Sequence, residues 1–328
     1  MKRLLAHIAA AAALLTALSA NAQQVASMAG RTVSIVVPQP AGNPTDGVAR
    51  KLQPLLQKEL DQTVIVENAP GAGGSIGVQK VLNSQAGTVP VLIASQTEPI
   101  LTPITVKGAR YKPEDFRAIA LVARLPYILV ARPGLAATSP QELAALAKKS
   151  PTPLSLGDIG PGTMIHLLGE QWARKNGIKL NQISYRGVPP ISQDLMGEQI
   201  DLSFLPLGGA TLSMIQSGKL KAIGNSAAAV HPQLPRVATI SGSDKALSDF
   251  VYGTWIALLV PTKTPADVVE RLNKALTVSM KDSDFQTYVT TSGMELASGN
   301  SLRELERFYA AEIRLYQGLA KEIGVTAE

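Results

Sequence analysis

The chain has 328 residues, with 31 basic and 25 acidic side chains giving a formal charge of +6, three histidines and no cysteine. The charge is spread without like-charge blocks or interleaved aromatics, which argues against nucleic-acid binding. The missing cysteines exclude disulfides and, with so few histidines, argue against a zinc site.

Residues 1–22 begin Met1-Lys2-Arg3, continue through an Ala/Leu run and close on Ala20-Asn21-Ala22. A basic start, a short apolar centre and a small-residue end form a cleavable secretory signal peptide. The run is too short to span a bilayer. Without a cysteine to carry a lipid, residues 23–328 are expected to be a freely diffusing monomer in a bacterial periplasm, long enough for two domains.

From there short apolar strands alternate with amphipathic helices, the pattern of an α/β fold. Strands are expected at 33–37, 63–67, 89–94, 117–122, 126–131, 153–157, 181–185, 201–205, 220–224 and 255–260. Helices are expected at 44–60, 74–83, 140–149, 163–176, 190–197, 210–217, 265–281, 283–291 and 301–323. Leu52, Leu55, Leu56 and Leu60 repeat at helical spacing and should pack the first helix on its sheet. Pro54, within the same helix, should kink or split it. The last helix carries Leu302, Leu305, Phe308, Tyr309, Ile313, Tyr316 and Leu319 on one broad face, which reads as core.

Two turns stand out. The first strand ends in Pro38-Gln39-Pro40-Ala41-Gly42 and passes into Asn43-Pro44-Thr45-Asp46. Asn43 has the profile of an N-cap, Pro44 of the first helical residue and Asp46 of the third. The strand thus delivers the chain to a helix N-terminus, whose unpaired N–H groups and positive dipole end favour an anion. The second half repeats this logic at Leu154-Ser155-Leu156, Gly160-Pro161-Gly162-Thr163 and the helix that follows. One such terminus in each half suggests a ligand held in a cleft between domains. Asp46 reads first as favourable to the helix dipole, with Arg50 pairing to it one turn on. Gly71-Ala72-Gly73-Gly74-Ser75-Ile76-Gly77 reads as a tight turn that brings a helix close to the sheet. No nucleophile elbow of the G-x-S-x-G type occurs.

At this point the sequence resembles the solute-binding receptors of tripartite tricarboxylate transporters, also called the Bordetella uptake gene receptors. The resemblance rests on several segments taken together: Val37–Asp46 with Ala49-Arg50; Glu67–Gly77; Tyr111–Phe116; Gly160–Thr163 with His166-Leu167 and Gly169-Glu170; Tyr185-Arg186-Gly187 with Asp194-Leu195 and Gly197–Asp201; and Trp255 with Pro261 and Thr264-Pro265. It departs from the family where Gln39 replaces a usual Phe and Asn43 a usual Gly, which points to more polar, amide-type recognition.

The resemblance implies a two-domain periplasmic binding protein of type II character, with two doubly wound sheets, a cleft and two hinge crossovers near 122–128 and 249–255. One domain comprises 23–125 plus 252–328, the other 126–251. The implied task is capture of a small organic carboxylate for uptake by a membrane transporter, without catalysis, cofactor or metal. An organic anion would meet Gln39, Ala41, Gly42, Asn43, Thr45 and Asp46 on one side. Gly160, Gly162, Thr163, His166, Arg186 and Gly187 would face it on the other, and Ser95, Gln96 and Thr97 would add donors at the end of the third strand. An exported α/β enzyme on a small anion, and a receptor feeding a membrane sensor, are the alternatives.

Overall fold

The computed structural model describes residues 28, 30–85, 87–298 and 301–323. The expected signal peptide, 1–22, lies outside them. Among the described residues no helix is long and apolar enough to cross a membrane.

Two sheets share one strand. The first half opens with β1 (Thr32–Val37), α1 (Pro44–Leu60), β2 (Val64–Asn68), α2 (Ser75–Leu82) and β3 (Thr88–Ala94). A wide turn at Thr97–Leu101, in which Leu101 N–H reaches back to Gln96 C=O, leads into the short α3 (Thr102–Thr105). The chain then runs through β4 (Phe116–Ala131) into the second half. That half contains α4 (Pro140–Lys149), β5 (Leu154–Asp158), α5 (Met164–Asn176), β6 (Leu180–Ser184), α6 (Val188–Met196), β7 (Leu202–Pro206), α7 (Gly209–Gln216) and β8 (Lys221–Asn225). The chain returns as β9 (Gly253–Pro261), α8 (Ala266–Ser279), α9 (Ser283–Thr291), β10 (Glu295–Leu296) and α10 (Leu302–Ile323).

The first sheet has the order β2-β1-β3-β9-β4, with β1, β2 and β3 parallel and β10 on the far edge of β4. The second has β8-β4-β7-β5-β6, with β5, β6 and β7 parallel. Helices cover both sheets, giving two α/β lobes. Strand β4 is the joint: Phe116–Pro126 pair with β9, whereas Tyr127–Ala131 pair with β7 and, in part, β8. The expectation of two strands at 117–122 and 126–131 is therefore corrected to one strand, with pairing irregularities between Ala118 and Ala120 and between Leu121 and Ala123. The chain crosses back beside it. Ser226 Oγ accepts from Tyr127 N–H at 2.9 Å, and Tyr252 N–H donates to Ser226 C=O at 2.9 Å, so the two crossings are tied together.

Helix α1 buries Val48, Leu52, Leu56 and Leu60 against its sheet, each such side chain contributing about 1.5–3 kcal/mol by leaving water. It runs unbroken through Pro54, contrary to the expected split. Pro54 is exposed, so the Arg50 carbonyl left without its partner lies on the solvent side. In α10, Leu305, Tyr309, Tyr316 and Ala320 are buried in a core that includes Trp255 and Leu121.

Candidate functional site

A cavity of about 810 Å³ lies between the two lobes, at the carboxyl ends of the parallel strands. The loop after β1 forms one wall through Gln39, Ala41, Asn43 and Thr45. The loop before α5 and its first turn form another through Thr163, Met164 and Ile165, and the entry to α6 adds Arg186 and Gly187. Ser95 and Thr97 line it from the end of β3.

The lobes touch around this cavity. A Cβ on Gly187 would lie 3.0 Å from Pro40 Cγ, and one on Gly208 would lie 2.6 Å from Pro44 Cγ. The two halves are thus brought within van der Waals reach by residues that have no side chain to hold them apart.

The other expected site residues, Gly42, Asp46, Gln96, Gly160, Gly162 and His166, do not line the cavity, and hydrogen bonds around them and around Asn43 and Thr163 shape its walls. Asn43 occupies the N-cap position of α1 but does not cap with its side chain; its Nδ2 donates to Pro40 C=O at 3.0 Å. Asp46 instead turns back on the loop before the cap, where its Oδ2 accepts from Gly42 N–H at 3.1 Å. Asp46 also pairs with Arg50 at 3.1 Å and accepts from Asn68 Nδ2 at 3.0 Å. Burial alone would raise the Asp46 carboxyl, but hydrogen bonds from Arg50, Asn68 and Gly42 together hold it below the usual range.

Across the cleft, Thr163 Oγ1 donates to Gly160 C=O at 2.7 Å, and His166 Nδ1 accepts from Gly162 N–H at 3.3 Å. These bonds fix the Gly160–Thr163 turn; Gly160, Gly162 and His166 do not themselves line the cavity. Gln96 is fully buried beneath it. Its Nε2 donates to Gly253 C=O at 3.3 Å and its Oε1 accepts from Thr254 Oγ1 at 2.9 Å, so it secures the start of β9.

Because Asp46 is ionised and multiply bonded, Asp46→Ala is expected to lower stability at pH 7 by about 1–3 kcal/mol. With a folded pKa below its unfolded value, the wild-type advantage is present above the unfolded pKa and lost as pH falls through the folded one. Urea unfolding at pH 7 and pH 3 should show the two proteins converging in acid.

Several lining residues were not anticipated. The turn at Pro70–Gly74 forms part of the wall, as do Tyr127, Tyr185, Thr254 and Trp255. The glycine turn reads as a close approach: a Cβ on Gly74 would lie 2.5 Å from Glu98 Cγ, and one on Gly77 would lie 2.8 Å from Pro38 Cα. Glu98 itself lines the cavity while only 2% exposed. Its Oε1 accepts from Gln39 Nε2 at 2.5 Å; its Oε2 accepts from Ser95 N–H at 3.0 Å and Ser95 Oγ at 2.9 Å. Gln39 is held in turn by Thr45, whose Oγ1 donates to Gln39 Oε1. Trp255 Nε1 donates to Glu312 Oε2 at 2.7 Å, tying β9 to α10. Among the described residues no cluster of three or more His, Cys, Asp or Glu is placed to hold a metal ion.

Similar proteins are found both by sequence and by structure. An Agrobacterium vitis protein from the TAR-I ttuE-ttuC' intergenic region is 34% identical over 265 residues, 80% of this chain and 75% of that protein. The structure of the periplasmic binding protein BugD superposes with a TM-score of 0.83 at 32% identity, covering 91% of this chain and 99% of that one. MatC from Rhodopseudomonas palustris, solved with bound malate, gives 0.80 at 25% identity over 88% of this chain and 98% of its own. Residues 48–325 match the family model described as tripartite tricarboxylate transporter family receptor. A cleft between lobes joined by a shared strand and a sequence match over almost all of the folded chain lead to one assignment: this protein belongs to the tripartite tricarboxylate transporter receptor family.

Proposed function

We propose that the protein captures a small organic carboxylate between its lobes in the periplasm and hands it to the membrane subunits of a tripartite tricarboxylate-type transporter. The observation that carries this reading is the cavity of about 810 Å³ onto which the first turns of α1 and α5 open, one from each lobe. Helix N-termini favour anions, and each charge-assisted hydrogen bond is worth roughly 1.5–3 kcal/mol. Several together reach micromolar affinity, near −8 kcal/mol. The malate bound by MatC supports a carboxylate of modest size. In this reading 23–125 plus 252–328 form one domain and 126–251 the other. The crossings at β4 and before β9 flex as hinges, residues 1–22 direct export, and the receptor acts as a monomer.

A thermal-shift screen over carboxylates, followed by calorimetry, tests it. At least one organic acid should raise the melting temperature, and the matching neutral amide should do less. Thr163→Ala removes the bond that fixes the second turn, and is expected to weaken binding by roughly threefold to tenfold with the unliganded melting temperature little changed. Failure of every carboxylate to bind, or an unchanged Kd in the variant, counts against the assignment.

A further inference from the structure

The charge on the cavity walls does not match a ligand that is only an anion. Among the described residues lining the cavity, the charged side chains are Glu98 and Arg186. Arg186 is exposed, whereas Glu98 is buried on the floor. No described Lys, Arg or His forms an ion pair with it. A carboxylate without a cationic partner, set in the wall of this cavity, repels a second carboxylate and attracts a cation.

The geometry around Glu98 gives this attraction a direction. A carboxylate has about four acceptor sites on its two oxygens. Ser95 N–H and Oγ fill two on Oε2, and Gln39 fills one on Oε1. The Glu98 backbone N–H adds a further donor, so the carboxylate is held by hydrogen bonds alone and by no cation among the described residues. Every protein partner of the carboxylate is a donor, so the local network is built to hold it in acceptor form. Burial nevertheless pushes its pKa upward, which marks a charge still short of stabilisation. Tyr127 and Trp255 line the same cavity, and aromatic faces favour an ammonium group.

We propose that Glu98 makes this receptor selective for carboxylates that also carry a cationic N–H donor, with the ammonium end on Glu98 and the carboxylate at the N-termini of α1 and α5. This deepens the carboxylate-capture reading and rests on it. The ligand class is then amino-acid-like rather than a plain dicarboxylate.

Calorimetry with matched probes tests the idea: aspartate against succinate, 4-aminobutanoate against butanoate, and butane-1,4-diamine as an amine without a carboxylate. The wild type should bind at least one aminated acid about tenfold or more tighter than its partner, and Glu98→Gln should abolish that preference. Glu98→Gln keeps the size and one acceptor oxygen but sets an amide N–H2 against one of its donors, so its unliganded melting temperature is measured alongside; the wild-type preference is in any case read without the variant. If the unaminated acids bind as tightly, or the preference survives Glu98→Gln, the selectivity proposal falls while carboxylate capture stands. If only the diamine binds, and does so through Glu98, carboxylate capture falls and the cation site stands. If no probe binds, both fall.

Discussion

Gly162→Ala is expected to weaken ligand binding by about 2 kcal/mol or more, roughly thirtyfold in Kd, while leaving both lobes folded. Gly162 sits at φ +74, and a Cβ built on it would lie 1.9 Å from Cγ2 and 2.2 Å from Cβ of Thr105. Thr105 ends α3 in the first lobe, and Gly162 precedes α5 in the second. The clash therefore falls on the contact between lobes and on neither core. An alanine there strains the turn by about 1–2 kcal/mol, because a side chain is disfavoured at positive φ. That strain acts whether the cleft is open or shut. The steric part acts only when the lobes meet, so it subtracts directly from the free energy by which a ligand holds them together. Thr105→Gly removes both clashing carbons. Adding it to Gly162→Ala should recover most of the affinity but none of the loss in unliganded melting temperature. Calorimetry on the wild type, the two single variants and the double variant separates these contributions. Equal Kd values for wild type and Gly162→Ala would show that this contact plays no part in closure.

The alternation of strand and helix was legible because each element carries its own period. Leu52, Leu56 and Leu60 fall on one face at helical spacing whatever the rest of the chain does, and they are buried as expected. The two turns before α1 and α5 were legible for the same reason: proline, glycine and hydroxyl residues state a strand-to-helix turn locally. What failed depended on distant partners. β4 looked like two strands because the exposed Arg124 and the buried Pro126 interrupt its apolar run, and proline ordinarily ends a strand. It continues because Pro126 stands where pairing passes from β9 to β7, at the boundary of the two sheets. Asn43 looked like a side-chain cap, but its amide turns back to donate to Pro40 C=O in the preceding loop, while Asp46 is held by Gly42 and by Asn68 from the next strand.

Glu98 was the largest omission at the site. In sequence, Thr97-Glu98-Pro99 reads as a solvated loop after a strand. Its burial requires Gly74 to pass within a side chain's width and Gln39 to reach across from the first loop. Neither contact leaves a trace in local spacing. The wide turn at Thr97–Leu101 that aims Glu98 inward likewise has no periodic signature, and such turns recur at functional sites.

Trp255→Ala is expected to cost about 3–5 kcal/mol of stability, roughly a 10 °C fall in melting temperature. Trp255 is 1% exposed and stacks edge-on to Phe308 with ring centres 5.6 Å apart. Its Nε1–H donates to Glu312 at 2.7 Å, and it lines the cavity between the lobes. Truncation removes the ring, its hydrogen bond and part of the binding wall at once. Trp255→Phe keeps an aromatic ring and deletes the donor; the ring volume it also loses adds a packing cost that does not vary with pH. Burial raises the Glu312 carboxyl above its usual 4.5, while the Trp255 hydrogen bond and Arg124 pull it down. A carboxyl raised in the folded state contributes stability that is fully present below its unfolded pKa and lost as pH rises through the folded value. Deleting the Trp255 donor raises the folded value further, so the charged form becomes harder to accommodate. The stability difference between Trp255→Phe and wild type should therefore be smallest near pH 4 and widen toward pH 7. With Glu312→Gln in both backgrounds that widening should vanish, since no carboxylate is left to ionise. Chemical denaturation at both pH values, on wild type, the two single variants and the double variant, reads the effect as a difference of differences in which every other titrating group cancels. A gap between Trp255→Phe and wild type that stays constant with pH would show that Trp255 supports β9 through packing alone and not through Glu312.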